Sequence, residues 1–309
     1  MRFGHFLYRQ KSRWKYHTAK NETEKRIAEI NQYSSVVESK GDRYYIREAS
    51  LNIPKGLIDP IFTRFDLFLT NMRNLGGRYV WEDGRLFFLF DNYKFRIISS
   101  NELFIINEVF FNRCYNVNIP GDQIYNVIDI GMNVGFASLF FAAKKRVNQV
   151  FAFEPFPESF EHANNNLNAN PHLSTKIKSF NFGLGKGERF QKMYFNPLAS
   201  GNSGMKYCVK GAANTEERTV LIKDAFEVIS EIIRAEPNIP VVVKMDCEGA
   251  EFEIMESLFE KGFSNEVKAV LMEWHGAIPM DFEQKFLDMG FQTLFTRLKN
   301  NLGLMYAFR

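Results

Sequence analysis

The residues best suited to chemistry stand in short runs, each closing an apolar stretch. Asp129-Ile130-Gly131-Met132-Asn133-Val134-Gly135-Phe136 sets two glycines around a tight turn into a helix candidate. Glycines there let backbone approach a ligand, and a helix N-terminus adds free N–H donors. A dinucleotide fingerprint asks for glycine at 133 and 136, where Asn133 and Phe136 stand, so a pyrophosphate cradle is disfavoured. Glu154, just before Pro155, follows the glycine turn by about twenty residues, where an acid can accept from ribose hydroxyls. A surface turn is the plainer alternative. In Asn181-Phe182-Gly183-Leu184-Gly185, Asn181 could bond an amide edge and Phe182 could flank a base, or the glycines simply turn the chain.

A second group is acidic. In Lys244-Met245-Asp246-Cys247-Glu248-Gly249-Ala250-Glu251, strand alternation puts Lys244, Asp246 and Glu248 on one side. Charges at the end of a buried strand must pair or work. Met272-Glu273-Trp274-His275-Gly276 ends another apolar run. If the two strands are neighbours, Asp246, Glu248, Glu273 and His275 converge on one rim. Asp246 or His275 could then take a proton from an acceptor. Each has a structural alternative: Asp246 as the partner of Lys244, His275 as a histidine bonded to backbone. The same oxygen-rich set suits a divalent cation chemically, but no metal is assigned.

The elements that must position these residues alternate from Ile124 onward. Apolar runs Tyr125–Ile130, Gln149–Phe153, Lys176–Phe180, Val241–Met245, Val267–Met272 and Phe291–Phe295 read as strands. Helix candidates lie between them at Phe136–Arg146, Glu158–Asn168, Ala225–Arg234, Ala250–Lys261 and Phe282–Met289. Continuous apolar strands joined by helices predict an α/β, doubly wound, mostly parallel sheet, with its ligand at the carboxyl ends of the strands. Upstream, Asp59–Asn74 reads as a helix. Arg78–Trp81, Leu86–Phe90 and Lys94–Ile98 read as a meander turned at Asp83-Gly84 and Asp91-Asn92, followed by a helix near Glu102–Tyr115. The expected division is a basic, polar helical segment over 1–40, an accessory helix and β-meander over 41–120, and the ligand-binding domain over 121–309.

The runs VIDIGMNVG, FAFEP, FNFGLG, VKMDCEGAE and LMEWHG, in that order, resemble the FkbM family of S-adenosylmethionine-dependent methyltransferases over about residues 100–309. DIGxNxG and KxDxEGxE are the most specific parts. The resemblance implies a class I methyltransferase, Rossmann-like fold with a seven-stranded sheet, and S-adenosylmethionine as cofactor. It also implies methylation of a hydroxyl on a sugar, glycan, lipid or natural product. On that reading Gly131, Asn133 and Gly135 line the methionine end while Asp129 holds the turn. Glu154 binds ribose, and Asn181 and Phe182 flank adenine. Asp246 or His275 is the base. The segment Asn196–Tyr207, rich in glycine and serine, reads as an acceptor-side loop. The alternatives are a nicotinamide-dependent oxidoreductase, against which the missing GxGxxG counts, and a catalytically silent binding protein on the same fold.

Composition narrows the partners. Of 309 residues, 45% are hydrophobic and 24% charged, which excludes disorder, collagen and coiled coil as descriptions of the whole. The net charge is +3, but residues 1–20 hold six cations and no acid. The remainder therefore carries −3 and advertises no nucleic-acid face, and no NPPY-like base-methylation motif occurs. The basic-aromatic start reads as a solvated end or as a peripheral contact with an anionic membrane. Three cysteines without a CxxC pair argue against a disulfide or zinc scaffold. The longest apolar stretch, Val134–Ala143, is too short to span a bilayer. A cytoplasmic protein, peripheral at most at the inner membrane surface, is the expectation.

Overall fold

The computed structural model describes residues 27, 28, 31, 37–55, 61, 64–119, 121–196, 215–276, 280–299 and 301–309. The membrane contact expected of residues 1–20 lies outside these, as does the Asn196–Tyr207 loop beyond its first residue. The chain divides into two units, Met1–Asn112 and Arg113–Arg309.

In the first unit, strands β1 (Val37–Lys40), β2 (Arg43–Ile46) and β3 (Leu51–Pro54) form an antiparallel sheet. Each is only four residues long, too short for a period-2 pattern to announce it. The helix Phe65–Leu75 buries Phe65, Leu67 and Phe68. A meander follows: β4 (Arg78–Glu82), β5 (Arg85–Phe90) and β6 (Tyr93–Ile97). Asp83 and Gly84 both take positive φ between β4 and β5, the backbone a two-residue hairpin requires. The aromatic alternation that marks these strands builds the core, with Phe68 stacked on Tyr79 at 3.7 Å.

The helix Ser100–Ile106 starts on a capping box. Ser99 N and Oγ both donate to Glu102 Oε2 at 2.7 Å, and Asn101 N donates to Ser99 Oγ. Ser99→Ala is expected to lower the stability of this unit by about 0.5–2 kcal/mol, read as a drop in denaturation midpoint. An unchanged midpoint would mean the cap is not holding the helix. The helix passes into a single π-turn, Asn107–Phe111, and stops there. The expectation that it continues to Tyr115 is corrected: Arg113 takes φ +54°, which ends any helical run and turns Tyr115 into a loop.

The second unit carries β7 (Tyr125–Ile130), β8 (Val147–Phe153), β9 (Ile177–Phe180), β10 (Gly183–Gly185), β11 (Arg189–Phe195), β12 (Glu216–Asp224), β13 (Val241–Met245), β14 (Val267–His275), β15 (Gln292–Lys299) and β16 (Leu302–Phe308). Seven form one sheet, in the order β15-β16-β14-β13-β7-β8-β9. All run parallel except β16, which pairs antiparallel with β14 and β15. This is the α/β, Rossmann-like fold expected. Every residue of β7 and β13 is buried, as central strands covered on both faces must be. From β7 the chain winds outward to β8 and β9, then returns to lay β13 on the other side of β7. The order reverses between β7 and β13, and such a point opens a crevice at the strands' carboxyl ends. Beside it, β10, β12 and β11 form a small separate sheet that the sequence patterns do not announce.

Candidate functional site

A cavity opens at this switch point, where an open parallel sheet places its ligand. Its wall comes from the ends of β7, β8 and β13 and from the small sheet: Ile130, Gly131 and Asn133; Glu154, Pro155 and Phe156; Leu184, Met193 and Ile222; and Asp246, Cys247 and Glu248.

The glycine turn is built around a close backbone approach. Gly131 takes φ +84°, and a Cβ there would lie 1.8 Å from the carbonyl oxygen of Asp246. No side chain fits, so the glycine lets β7 and β13 deliver their ends to one place. Gly135 opens the helix Phe136–Ala142 in left-handed geometry. A Cβ on it would meet Ala163 at 3.4 Å. It packs against the helix Pro157–Asn168 and lies outside the cavity wall. Asp129 lies wholly behind the wall, accepting from Ser138 Oγ at 2.6 Å and paired with Lys244 Nζ at 3.0 Å. Lys244 also donates to Gly131 O at 2.8 Å. Burial opposes the Lys244 charge, but Asp129 and then Asp246 outweigh it and raise the ammonium above its ordinary value.

Glu154 is placed differently. It is buried, and Asn133 N donates to its Oε2 at 2.8 Å while Phe156 N donates to Oε1 at 3.0 Å. The carboxylate therefore ties the glycine turn to the end of β8. Burial pushes its pKa up to about 7, against those backbone bonds. Asn133 sits at φ +51°, and its Oδ1 is buried without a hydrogen-bond partner among the described residues. A buried acceptor left open in this way calls for a donor from outside the protein.

The two residues expected beside adenine have partners within the protein. Asn181 turns its amide to Glu154 O at 2.9 Å. Phe182 packs against Phe153 and Phe180, with Lys223 over its ring. Neither side chain is in the cavity wall. The apolar surface in that place is Phe156, Leu184, Met193 and Ile222, three of which come from the unannounced small sheet and its neighbours.

The acidic rim assembles as the strand order implied. Asp246 lines the cavity. Ligand atoms of Asp246, Glu273 and His275 all lie within 4.8 Å of one another. His275 Nε2 is 3.3 Å from Glu248 Oε2 and 3.8 Å from Glu273 Oε1, while Nδ1 is 3.1 Å from Glu251 Oε1. Glu251 is fully buried and also accepts from Cys247 N and Gly249 N. Burial alone would lower the His275 pKa, but Glu251, Glu248 and Asp246 push it up to about 10. A raised pKa weighs against His275 as the base and towards Asp246. The His275 ring bridges the turn after β13 and the end of β14.

The model described as the methyltransferase FkbM domain matches residues 129–300, more than half of the chain. The chain belongs to the FkbM methyltransferase family. The matched span of this FkbM domain starts on Asp129, behind the glycine turn, and takes in every residue of the cavity wall. Among curated relatives, Methyltransferase 1 of Beauveria bassiana is 28% identical over 170 residues, half of this chain and 66% of that protein. Methyltransferase sdnD of Sordaria araneosa is 26% identical over 65% of this chain and 86% of its own length. The hexuronic acid methyltransferase AglP of Haloferax volcanii is 25% identical over 56% of this chain and 66% of its own. The FkbM chain thus spans about two thirds of the first and third of these. No described helix is long and apolar enough to cross a membrane.

Proposed function

We propose that the protein is an S-adenosylmethionine-dependent methyltransferase acting on a hydroxyl of a sugar, glycan, lipid or natural product. One observation carries the reading: at the switch point of the sheet, a buried carboxylate and an orphaned amide oxygen, Glu154 and Asn133 Oδ1, share the wall of one cavity. S-adenosylmethionine supplies a methyl group on a sulfonium that is already a good leaving group, so the reaction needs positioning more than covalent help. Glu154 accepts from ribose hydroxyls with the lone pairs its two backbone bonds leave free. Asn133 Oδ1 and the turn at Gly131 face the amino-acid end. Phe156, Leu184, Met193 and Ile222 give the base an apolar bed. Asp246 takes the acceptor's proton. A sugar acceptor is favoured by the similarity to a protein named for hexuronic acid methylation.

Calorimetric titration with S-adenosylmethionine and with NAD tests the cofactor. Binding of the first and not the second is expected, and binding of NAD alone would restore the oxidoreductase. Glu154→Ala is expected to weaken S-adenosylmethionine binding about 10–150-fold, since bonds to a charged acceptor are worth about 1.5–3 kcal/mol. The ribose hydroxyls donate more strongly to the ionised carboxylate than to the neutral acid. Affinity should therefore fall as pH drops below about 7, where Glu154 takes up its proton. Affinity within twofold of wild type in Glu154→Ala would remove the ribose assignment.

A further inference from the structure

We propose that Tyr115 is a positioning residue for the proton acceptor Asp246, an inference that rests on the methyltransferase reading above. The Tyr115 hydroxyl donates to Asp246 Oδ2 at 3.3 Å. Asp246 Oδ1 has no hydrogen bond among the described residues. One carboxylate oxygen is thus held from behind and the other is left for the cavity that Asp246 lines.

The tyrosine is itself held on three sides. It is only 4% exposed, its ring lies 6.1 Å from that of Phe141, and the Lys244 ammonium stands 5.5 Å over it. Its neighbour Cys114 is pinned as well, since Tyr306 of β16 donates to the Cys114 carbonyl at 2.9 Å. A phenol needs a fixed ring to aim its proton, and this loop is tied to the sheet at Cys114 and to Lys144 at Asn116. Asp246 has no comparable local restraint. It stands just past β13, where Asp246 N donates to Ile130 O, and the chain then enters a turn with Glu248 at φ +52°. Without the phenol the carboxylate would be free to change rotamer, and a displacement of about 1 Å at a reacting group can cost a hundredfold in rate.

The test compares wild type, Tyr115→Phe, Asp246→Asn and the double variant as full chains. Radiolabelled methyl transfer from S-adenosylmethionine is measured on a panel of methyl glycosides, neutral hexoses and hexuronic acids both included. Calorimetry gives the donor affinity of each variant. Tyr115→Phe keeps the buried ring, so the expected result is a loss of about tenfold in kcat with KM and donor affinity within twofold. It should cause no further loss when Asp246 is already Asn. A Tyr115→Phe enzyme with wild-type kcat beside an impaired Asp246→Asn overturns the positioning role, as does a loss that multiplies with that of Asp246→Asn. An Asp246→Asn enzyme with wild-type kcat overturns the base role of Asp246 and the positioning role with it, whereas a wild type that methylates none of the panel overturns the sugar-acceptor reading beneath them.

Discussion

Lys244→Met should destabilise the Arg113–Arg309 unit by about 3–5 kcal/mol, the cost of leaving a buried charge without its partner. Lys244 is the only cation facing Asp129 among the described residues, and both side chains are almost wholly excluded from water, at 3% and 0% exposure. Ser138 supplies one hydrogen bond to the carboxylate, which does not neutralise it. The loss is also local to the site, because the same ammonium holds Gly131 O, and Gly131 stands against Asp246. Methionine approximates the length and apolar stem of lysine, so lost packing contributes little. Pairing the change with Asp129→Asn removes the orphaned charge, and the double variant should be more stable than Lys244→Met alone, the signature of a coupled pair. Thermal or urea unfolding of the full chain reads both. A single variant within 1 kcal/mol of wild type would mean that the pair contributes nothing to the fold.

What could be read in advance follows how local the cause is. β7 and β13 appear in the sequence with their structural bounds, because a strand buried on both faces is apolar at nearly every position. Asp129 and Lys244 interrupt the two runs and are each other's partners. Glu154 and Asp246 reach the cavity because the fold class fixes where parallel strands end. The four-residue strands of the first sheet and the glycine strand β10 have no pattern of their own, and β10 takes its pairing from the distant β12. Gly131 illustrates a subtler gap. Its type was readable, but the atom that demands it is the backbone oxygen of Asp246, over a hundred residues away. His275 is the clearest case: the residue is visible at a strand end, yet its protonation is set by Glu251, which the sequence suggests only as a favourable charge at a helix N-terminus. Tyr115 was hidden because an apolar stretch reads as helix through it, and only the backbone reversal at Arg113 shows otherwise.

The proton released by a methylated hydroxyl needs an acceptor, and Asp246→Asn tests the proposed one most severely. Asparagine keeps the shape of aspartate, keeps an oxygen for the Tyr115 hydroxyl, and cannot accept a proton. The expected result is a fall in turnover of about two orders of magnitude, the usual worth of a positioned base. Donor affinity should stay within twofold, because the groups placed to hold the donor, Glu154 and Asn133, are untouched. A loss of kcat and kcat/KM together, with KM little changed, would place the missing interaction in the transition state. His275→Gln separates the two rim residues. The variant removes a cation that clamps Glu248 and Glu251, so its effect should include a lower melting temperature, which Asp246→Asn should not show. If Asp246→Asn turns over as wild type does, no base in the wall is needed. The rate would then come from holding the acceptor oxygen in line with the sulfonium, with the proton passing to water.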